Sequence, residues 1–130
     1  MTRRAAFALL ALVLAGTTTI AADDGFANWW RRFQAAVAKG NGSFVGEGAD
    51  FPMQWEFGHI RKIEARSALA DRFDIYFTAE VREAVAKGKP EKLPDGTYML
   101  TWKARGNEYS LYFKPQGGQF VLTGLSEGPA

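Results

Sequence analysis

The sequence predicts a single α+β domain, in which a long N-terminal helix and a second helix pack on a curved antiparallel sheet ending in a three-stranded meander. Three observations predict it. Apolar residues recur at helical spacing from Phe26 to Val37. A second helical periodicity runs from Leu69 to Val85. After Gly96, apolar and polar residues alternate between short glycine-bearing turns, the pattern of hairpin-linked strands. A chain of 130 residues is long enough for one such domain and too short for two. The expected boundaries are 1–22 for a signal peptide and 23–130 for the domain.

The first 22 residues read as a secretory signal. Arg3 and Arg4 supply the positive start, and Ala5 to Ala15 form an unbroken apolar run. Small residues follow, with cleavage expected after Ala21 or Ala22. The apolar run is shorter than the roughly 20 residues that span a bilayer, so no stable membrane anchor is expected after cleavage. The expected location is therefore periplasmic or secreted.

Cleavage also changes the charge. Of 16 Lys and Arg, two leave with the signal, and the 14 that remain balance 14 Asp and Glu. Nucleic-acid binding rests on a cationic surface that releases counterions, and a neutral domain argues against such a partner. Without cysteine, the chain can form no disulfide, thiolate nucleophile or thiolate metal site. Its stability must come from packing, to which 17 of its 18 aromatic residues contribute downstream of the signal.

Along the domain, Asp23 and Asp24 offer capping oxygens to a helix that ends at Lys39 before Gly40. Its stripe of Phe26, Trp29, Trp30, Phe33 and Val37 calls for a broad apolar partner, expected to be the Tyr98/Leu100/Trp102 face of a sheet. Residues 40–50 hold four glycines and read as a loop. Gln54–Phe57 and Ile60–Arg66 alternate around Gly58-His59, as in a hairpin. Ser67 is the expected cap of the second helical region, which carries Leu69, Phe73, Tyr76, Phe77, Val81 and Val85, with an irregular turn near Asp74 and a restart at Thr78. Glu83 and Lys87 form an i,i+4 pair and Gly88 ends the helix. Lys89 to Gly96 is an exposed connection with two prolines.

In the meander, Thr97–Arg105 and Glu108–Lys114 are expected to meet at a Gly106-Asn107 turn. Gln116-Gly117-Gly118 turns the chain into Gln119–Leu125, with Phe120 and Leu122 on one face and Val121 and Leu125 on the other.

Several of these residues carry a resemblance. Phe26-x-x-Trp29-Trp30-x-x-Phe33, Phe51-Pro52, Tyr76-Phe77-Thr78 with Val81-Arg82, and Gly96-x-Tyr98 with Tyr109-x-Leu111-x-Phe113 resemble small exported bacterial proteins of uncharacterised function. Their architecture is similar to the nuclear transport factor 2-like, or cystatin-like, cone. The resemblance implies a curved sheet folded round a long helix, and it adds no catalytic residue. Relatives tend to be helical where residues 40–50 read as loop here, so this stretch is expected to depart from their pattern.

The chemistry available is narrow. His59 is the lone histidine, and beside Gly58 it reads first as a turn residue and second as a base or ligand. No metal-ligand spacing is present, so neither a metal nor a cofactor is expected. Residues 40–48 match neither a nucleophile elbow nor a phosphate-binding loop, and Asn41-Gly42-Ser43 is a formal glycosylation sequon. Cone folds hold enzymes that place a carboxylate with a Tyr or His in an apolar pocket, where burial raises the carboxyl pKa. By that pattern the catalytic candidates are Asp50, Asp74, Tyr76 and His59, with Glu56 of the right type. Asp74 reads first as the cap of the restarted helix and second as a catalytic carboxylate. Trp30, Trp55, Tyr98 and Trp102 are the candidate binding residues, with core packing as the competing role.

The function expected from the sequence is an exported, non-catalytic binding domain for a protein partner or a small apolar ligand. The alternative is a pocket enzyme of lyase, isomerase or hydrolase type using Asp74 or Asp50 with Tyr76 or His59. The two differ in geometry, since the enzyme needs two of those polar tips to converge on one apolar cavity.

Overall fold

The computed structural model describes residues 24–130. The expected signal peptide lies outside the described residues. Among those described, no helix is long and apolar enough to cross a membrane.

Helix α1 (Phe26–Lys39) follows the stripe read from the sequence, burying Phe26, Trp29, Trp30, Phe33, Ala36 and Val37. Gly25 occupies the cap position, and Asp24 beside it accepts from the Phe26 N–H at 3.0 Å, which satisfies one of the helix's open donors. At the other end Gly40 takes the left-handed conformation and Lys39 sits in the last turn.

Residues 42–47 are not a loop but a short helix, α2 (Gly42–Glu47). The Asn41 side chain caps it by accepting from the Phe44 N–H at 3.1 Å. Its glycines serve close approach rather than flexibility. A Cβ on Gly46 would stand 2.9 Å from Arg66 Cγ, and one on Gly42 would stand 3.2 Å from the Ala70 backbone. Side-chain-free faces let α2 lie directly on helix α3 (Arg66–Asp71).

Strand β1 (Ala49–Phe57) turns at Gly58-His59 into β2 (Ile60–Ile63), the hairpin expected from the alternation, with β1 starting earlier and β2 ending sooner than the pattern suggested. The second helical region is three short helices: α3, α4 (Phe73–Tyr76) and α5 (Ala79–Lys87). Leu69, Phe73, Phe77, Val81 and Val85, four apart, are all buried, so the inward stripe survives both interruptions. The breaks fall at Arg72 and at Phe77-Thr78 rather than at Asp74, and α3 is capped by the Ala65 backbone with Ser67 inside it.

The Thr78 side chain caps α5 by accepting from the Val81 N–H at 3.4 Å, so the capping role read for Asp74 belongs to Thr78. Asp74 stands on the surface, 85% exposed, and pairs with Arg82 at 3.2 Å. Thr78→Ala is expected to cost about 1 kcal/mol in urea unfolding. Asp74→Ala should stay within about 0.5 kcal/mol, as for an exposed pair.

The last segment adds β3 (Glu91–Lys92), within the stretch expected as a plain connection, then β4 (Tyr98–Ala104), β5 (Asn107–Gln116) and β6 (Gln119–Pro129). The β4–β5 turn is Arg105-Gly106, one residue earlier than expected; both have positive φ (55° and 78°), the hallmark of a type I′ turn. Gly117-Gly118 makes the next turn in the same way.

The six strands form one sheet in the order β2-β1-β6-β5-β4-β3. It is mixed rather than wholly antiparallel, because β1 runs parallel to β6, with Trp55 opposite Leu125. A bulge leaves Thr123 without an opposite residue, since Tyr112 faces Gly124 and Phe113 faces Leu122. That extra residue resets the inward phase of β6. Leu125 therefore joins Phe120 and Leu122 in the core instead of facing away from them.

Helix α1 lies chiefly over β5 and β6, not over β4. The Phe113 ring meets Trp29, Trp30 and Phe33 at 5.3–5.4 Å between centroids, each close to edge-on. Its first turn reaches β4, where Phe26 stacks on Tyr98 at 3.7 Å. The interior is thus filled by rings, and the described residues bury no polar or charged side chain apart from the phenol of Tyr109.

Candidate functional site

The catalytic candidates do not converge. Asp50 opens β1 and pairs with Lys114 at 3.2 Å. His59 is exposed in the turn at the other end of that strand, roughly 30 Å away at the rise of an extended chain. Asp74 faces solvent on the helical side of the molecule. Tyr76 is half-buried, and its carbonyl accepts from Trp55 Nε1 at 3.2 Å. Glu56 binds the Glu127 backbone N–H at 3.0 Å, and that hydrogen bond holds its carboxyl below the ordinary range.

The binding candidates divide in two. Trp30 and Trp55 are core residues, Trp55 with no exposed surface at all. Tyr98 and Trp102 are half-buried. The Tyr98 hydroxyl donates to Asp24 at 2.8 Å, tying the start of α1 to β4.

Two of the recesses among the described residues lie at opposite ends of β5. The first is a partly enclosed cavity of about 330 Å³ between α1, α2 and the β5–β6 turn. Trp29, Phe33, Phe120 and Val121 form its apolar wall, and Phe44 of α2 stands at its edge, 38% exposed. Arg32, Glu47, Gln116 and Gln119 also line it. The helical stripe dictates this arrangement: Trp29 and Phe33 point at the sheet, while Arg32 falls at the margin between the buried and solvent faces of α1. Among the described residues Arg32 meets no carboxylate; its guanidinium donates to Gln119 Oε1 at 3.3 Å. A shallower depression lined by Arg32, Ala35, Ala36, Lys39, Asn41 and Phe44 continues from this edge.

The second recess is wider and more open, about 550 Å³, beneath the β4–β5 turn. Arg105 reaches from that turn to Glu80 in the first turn of α5, where both guanidinium nitrogens donate to the carboxylate. Glu80 also accepts from Trp102 Nε1 at 3.0 Å. The Arg105 hydrogen bonds, and after them the Trp102 one, hold the Glu80 carboxyl below its ordinary range, and the same contact raises Arg105 above its own. The Tyr109 hydroxyl accepts from Arg105 Nη2 at 3.0 Å and donates to Glu127 Oε2 at 2.8 Å. Glu80, Arg105, Trp102, Tyr109 and Glu127 are thus joined in one chain of hydrogen bonds.

Sequence reasoning named Trp29 and Tyr109 among the aromatics that could line a cavity but missed the other residues that shape both recesses. Arg32, Phe44 and Gln119 come from three segments, and Glu80 and Arg105 lie 25 positions apart. The available signals were local. Glu80 stands two residues after a capping Thr, and Tyr109 alternates inward with Leu111 and Phe113.

No protein-family model matches the chain, and no curated protein matches it. Among solved structures, a variant of the designed protein Rd1NTF2_05 is similar at 10% identity, covering 81% of this chain and 97% of its own, with a TM-score of 0.49. A second, from Xanthomonas campestris and named as a calcium/calmodulin dependent protein kinase II association domain, has 14% identity, 89% coverage of each chain and a TM-score of 0.44. The chain's own topology, a long helix laid across a six-stranded mixed sheet, is the α+β arrangement that the resemblance read from the sequence implied.

Proposed function

We propose that the chain is an exported, non-catalytic binding domain, and that its ligand is a small, mostly apolar molecule carrying a carboxylate, held in the cavity beside α1. The cavity carries this reading. Its volume of about 330 Å³ lies in the range of small-molecule sites. Its wall is aromatic and aliphatic, and a guanidinium without a carboxylate partner among the described residues stands at its edge. An apolar body would displace water from Trp29, Phe33, Phe120 and Val121, while the carboxylate would take a charge-assisted bond from Arg32. Lys39, along the adjoining depression, adds a second cation against the single carboxylate of Glu47.

Export is supported by the charged, apolar and small-residue order of residues 1–22. The non-catalytic reading is supported by the acidities of the carboxylates. Those that depart from their ordinary values, Asp24, Glu56, Glu80 and Asp95, all depart downward, the wrong direction for a general acid or base near neutrality.

Native mass spectrometry of the chain purified gently from the cells that make it tests this reading. The expected spectrum shows the chain with an added mass of about a few hundred daltons, the size of ligand such a cavity accepts. A stoichiometric protein companion and no small adduct would replace the small-ligand reading with a protein-interaction one.

A further inference from the structure

We infer that the recess under the β4–β5 turn is a guanidinium site, filled in cis by Arg105 and able to receive the guanidinium group of a ligand in its place. It is separate from the cavity beside α1 and does not depend on that cavity's function.

The walls have the chemistry of a cation host. The Arg105 guanidinium carbon stands 5.7 Å from the centroids of both the Phe57 and Tyr109 rings, which are themselves 5.1 Å apart. Ring faces attract a cation, and a planar guanidinium both stacks on them and forks onto a carboxylate. Glu80 supplies the fork, and the Tyr109 hydroxyl supplies a further acceptor backed by Glu127. With Arg105 removed, Glu80 would have no ion-pair partner among the described residues, and Glu127 would keep Arg61 at 3.7 Å. The vacated recess would carry excess negative charge and favour a cation.

Host and guest are built differently. Phe57, Glu80, Tyr109 and Glu127 stand on β1, α5, β5 and β6, and three of them keep partners that do not involve Arg105. Trp102 holds Glu80, Glu127 holds the Tyr109 hydroxyl, and the Glu127 backbone N–H is bound to Glu56. Arg105 instead hangs from the tip of a two-residue turn, its side chain 57% exposed and its own φ positive at 55°. Type I′ turns favour Asn, Asp or Gly at that position, so the backbone gains nothing from an arginine there. The side chain is what the position uses. It lies across an open recess of about 550 Å³ rather than being sealed within it.

The test titrates methylguanidinium and acetyl-arginine amide into the wild-type chain and Arg105→Ala, following the Trp102 indole N–H by nuclear magnetic resonance. That proton donates to Glu80 and reports directly on what the carboxylate holds. Arg105→Ala is expected to show saturable shifts of this resonance at concentrations at least about tenfold lower than the wild type requires, a difference of about 1.4 kcal/mol. Adding Glu80→Gln to Arg105→Ala should abolish the response, while unchanged resonances from the Phe113 and Trp29 region establish that both variants are folded. The proposal is overturned if folded Arg105→Ala gives no saturable shift, or if the Glu80→Gln double variant responds equally. Tighter binding of acetyl-arginine amide than of methylguanidinium would identify a polypeptide as the source of the group, and equal binding would identify a small cation.

Discussion

Trp55→Ala is expected to remove about 3–5 kcal/mol of stability, the range for truncating a fully buried large aromatic residue. Trp55 has no exposed surface and sits on β1 where that strand joins β6 in parallel, opposite Leu125. Its ring lies 5.1 Å from Phe77, the residue at which the helical region breaks between α4 and α5. Its indole N–H satisfies the Tyr76 carbonyl at 3.2 Å. One side chain therefore joins the sheet to an irregular helical segment by both packing and a hydrogen bond. Single domains have total stabilities of roughly 5–15 kcal/mol, so this one change should remove a large share of the total. Trp55→Phe separates the two contributions. It keeps a ring but leaves the Tyr76 carbonyl without its donor, and should lose about 1–3 kcal/mol on that account. Equilibrium urea unfolding measures both, and a loss below about 1 kcal/mol for Trp55→Ala would mean that β1 is not anchored in this way.

Gly88→Ala is expected to destabilise by about 1–3 kcal/mol through overpacking. The backbone at Gly88, φ −79° and ψ 154°, suits any residue, so no cost arises from its dihedral angles. A Cβ there would stand 2.6 Å from the Ala84 carbonyl oxygen and would collide with the Leu100 side chain. The collision with Leu100 makes the effect distinguishable from a lost helix terminus. Combining Gly88→Ala with Leu100→Ala should cost less than the two single changes added together, because the smaller side chain makes room for the new methyl group. Strict additivity in thermal or urea unfolding would assign the cost to the helix end instead.

Gly88 also illustrates how far the sequence could be read. A glycine after Lys87 reads as a helix terminus, and the helix does end there. Its tighter constraint comes from Leu100, twelve positions later on β4, which no local pattern reveals. Helix α1 was legible because burial on one side imposes a 3.6-residue period on large side chains, and five of those read from the sequence are buried. Helix α2 was hidden because its glycines answer to the approach of α3, and glycine read locally signals a loop. The phase of β6 was legible only up to Leu122, since a bulge at Thr123 changes face without leaving a mark in composition.

The sites were less legible than the fold for the same reason. Candidate carboxylates were ranked by type and by apolar sequence neighbours, which singled out Asp74, yet only Phe73 and Phe77 of those neighbours are buried, while Asp74 and Ile75 turn to solvent. The Glu80–Arg105–Tyr109–Glu127 contacts join three elements, and their assembly depends on the β4–β5 turn falling at Arg105-Gly106. A turn placed one residue later gives Arg105 a strand position and no reason to reach α5. Strand parity did place Tyr109 inward, whereas Trp102, read as a candidate binding residue, spends its indole N–H on Glu80.

The central claim is that the cavity beside α1 binds an apolar molecule through its carboxylate. Calorimetric titration with octanoate, set against octanol, tests it most directly on the wild-type chain, Arg32→Glu and Phe44→Ala. Both substituted side chains are surface-accessible, so neither change removes core packing. The account predicts one-to-one binding of octanoate to the wild type, weaker binding of octanol by about fivefold as for an accessible ion pair, and loss of the octanoate preference in Arg32→Glu. Phe44→Ala should weaken both ligands alike by removing apolar contact at the cavity's edge. Octanoate that fails to bind, or that binds with the same affinity to all three chains, would contradict it.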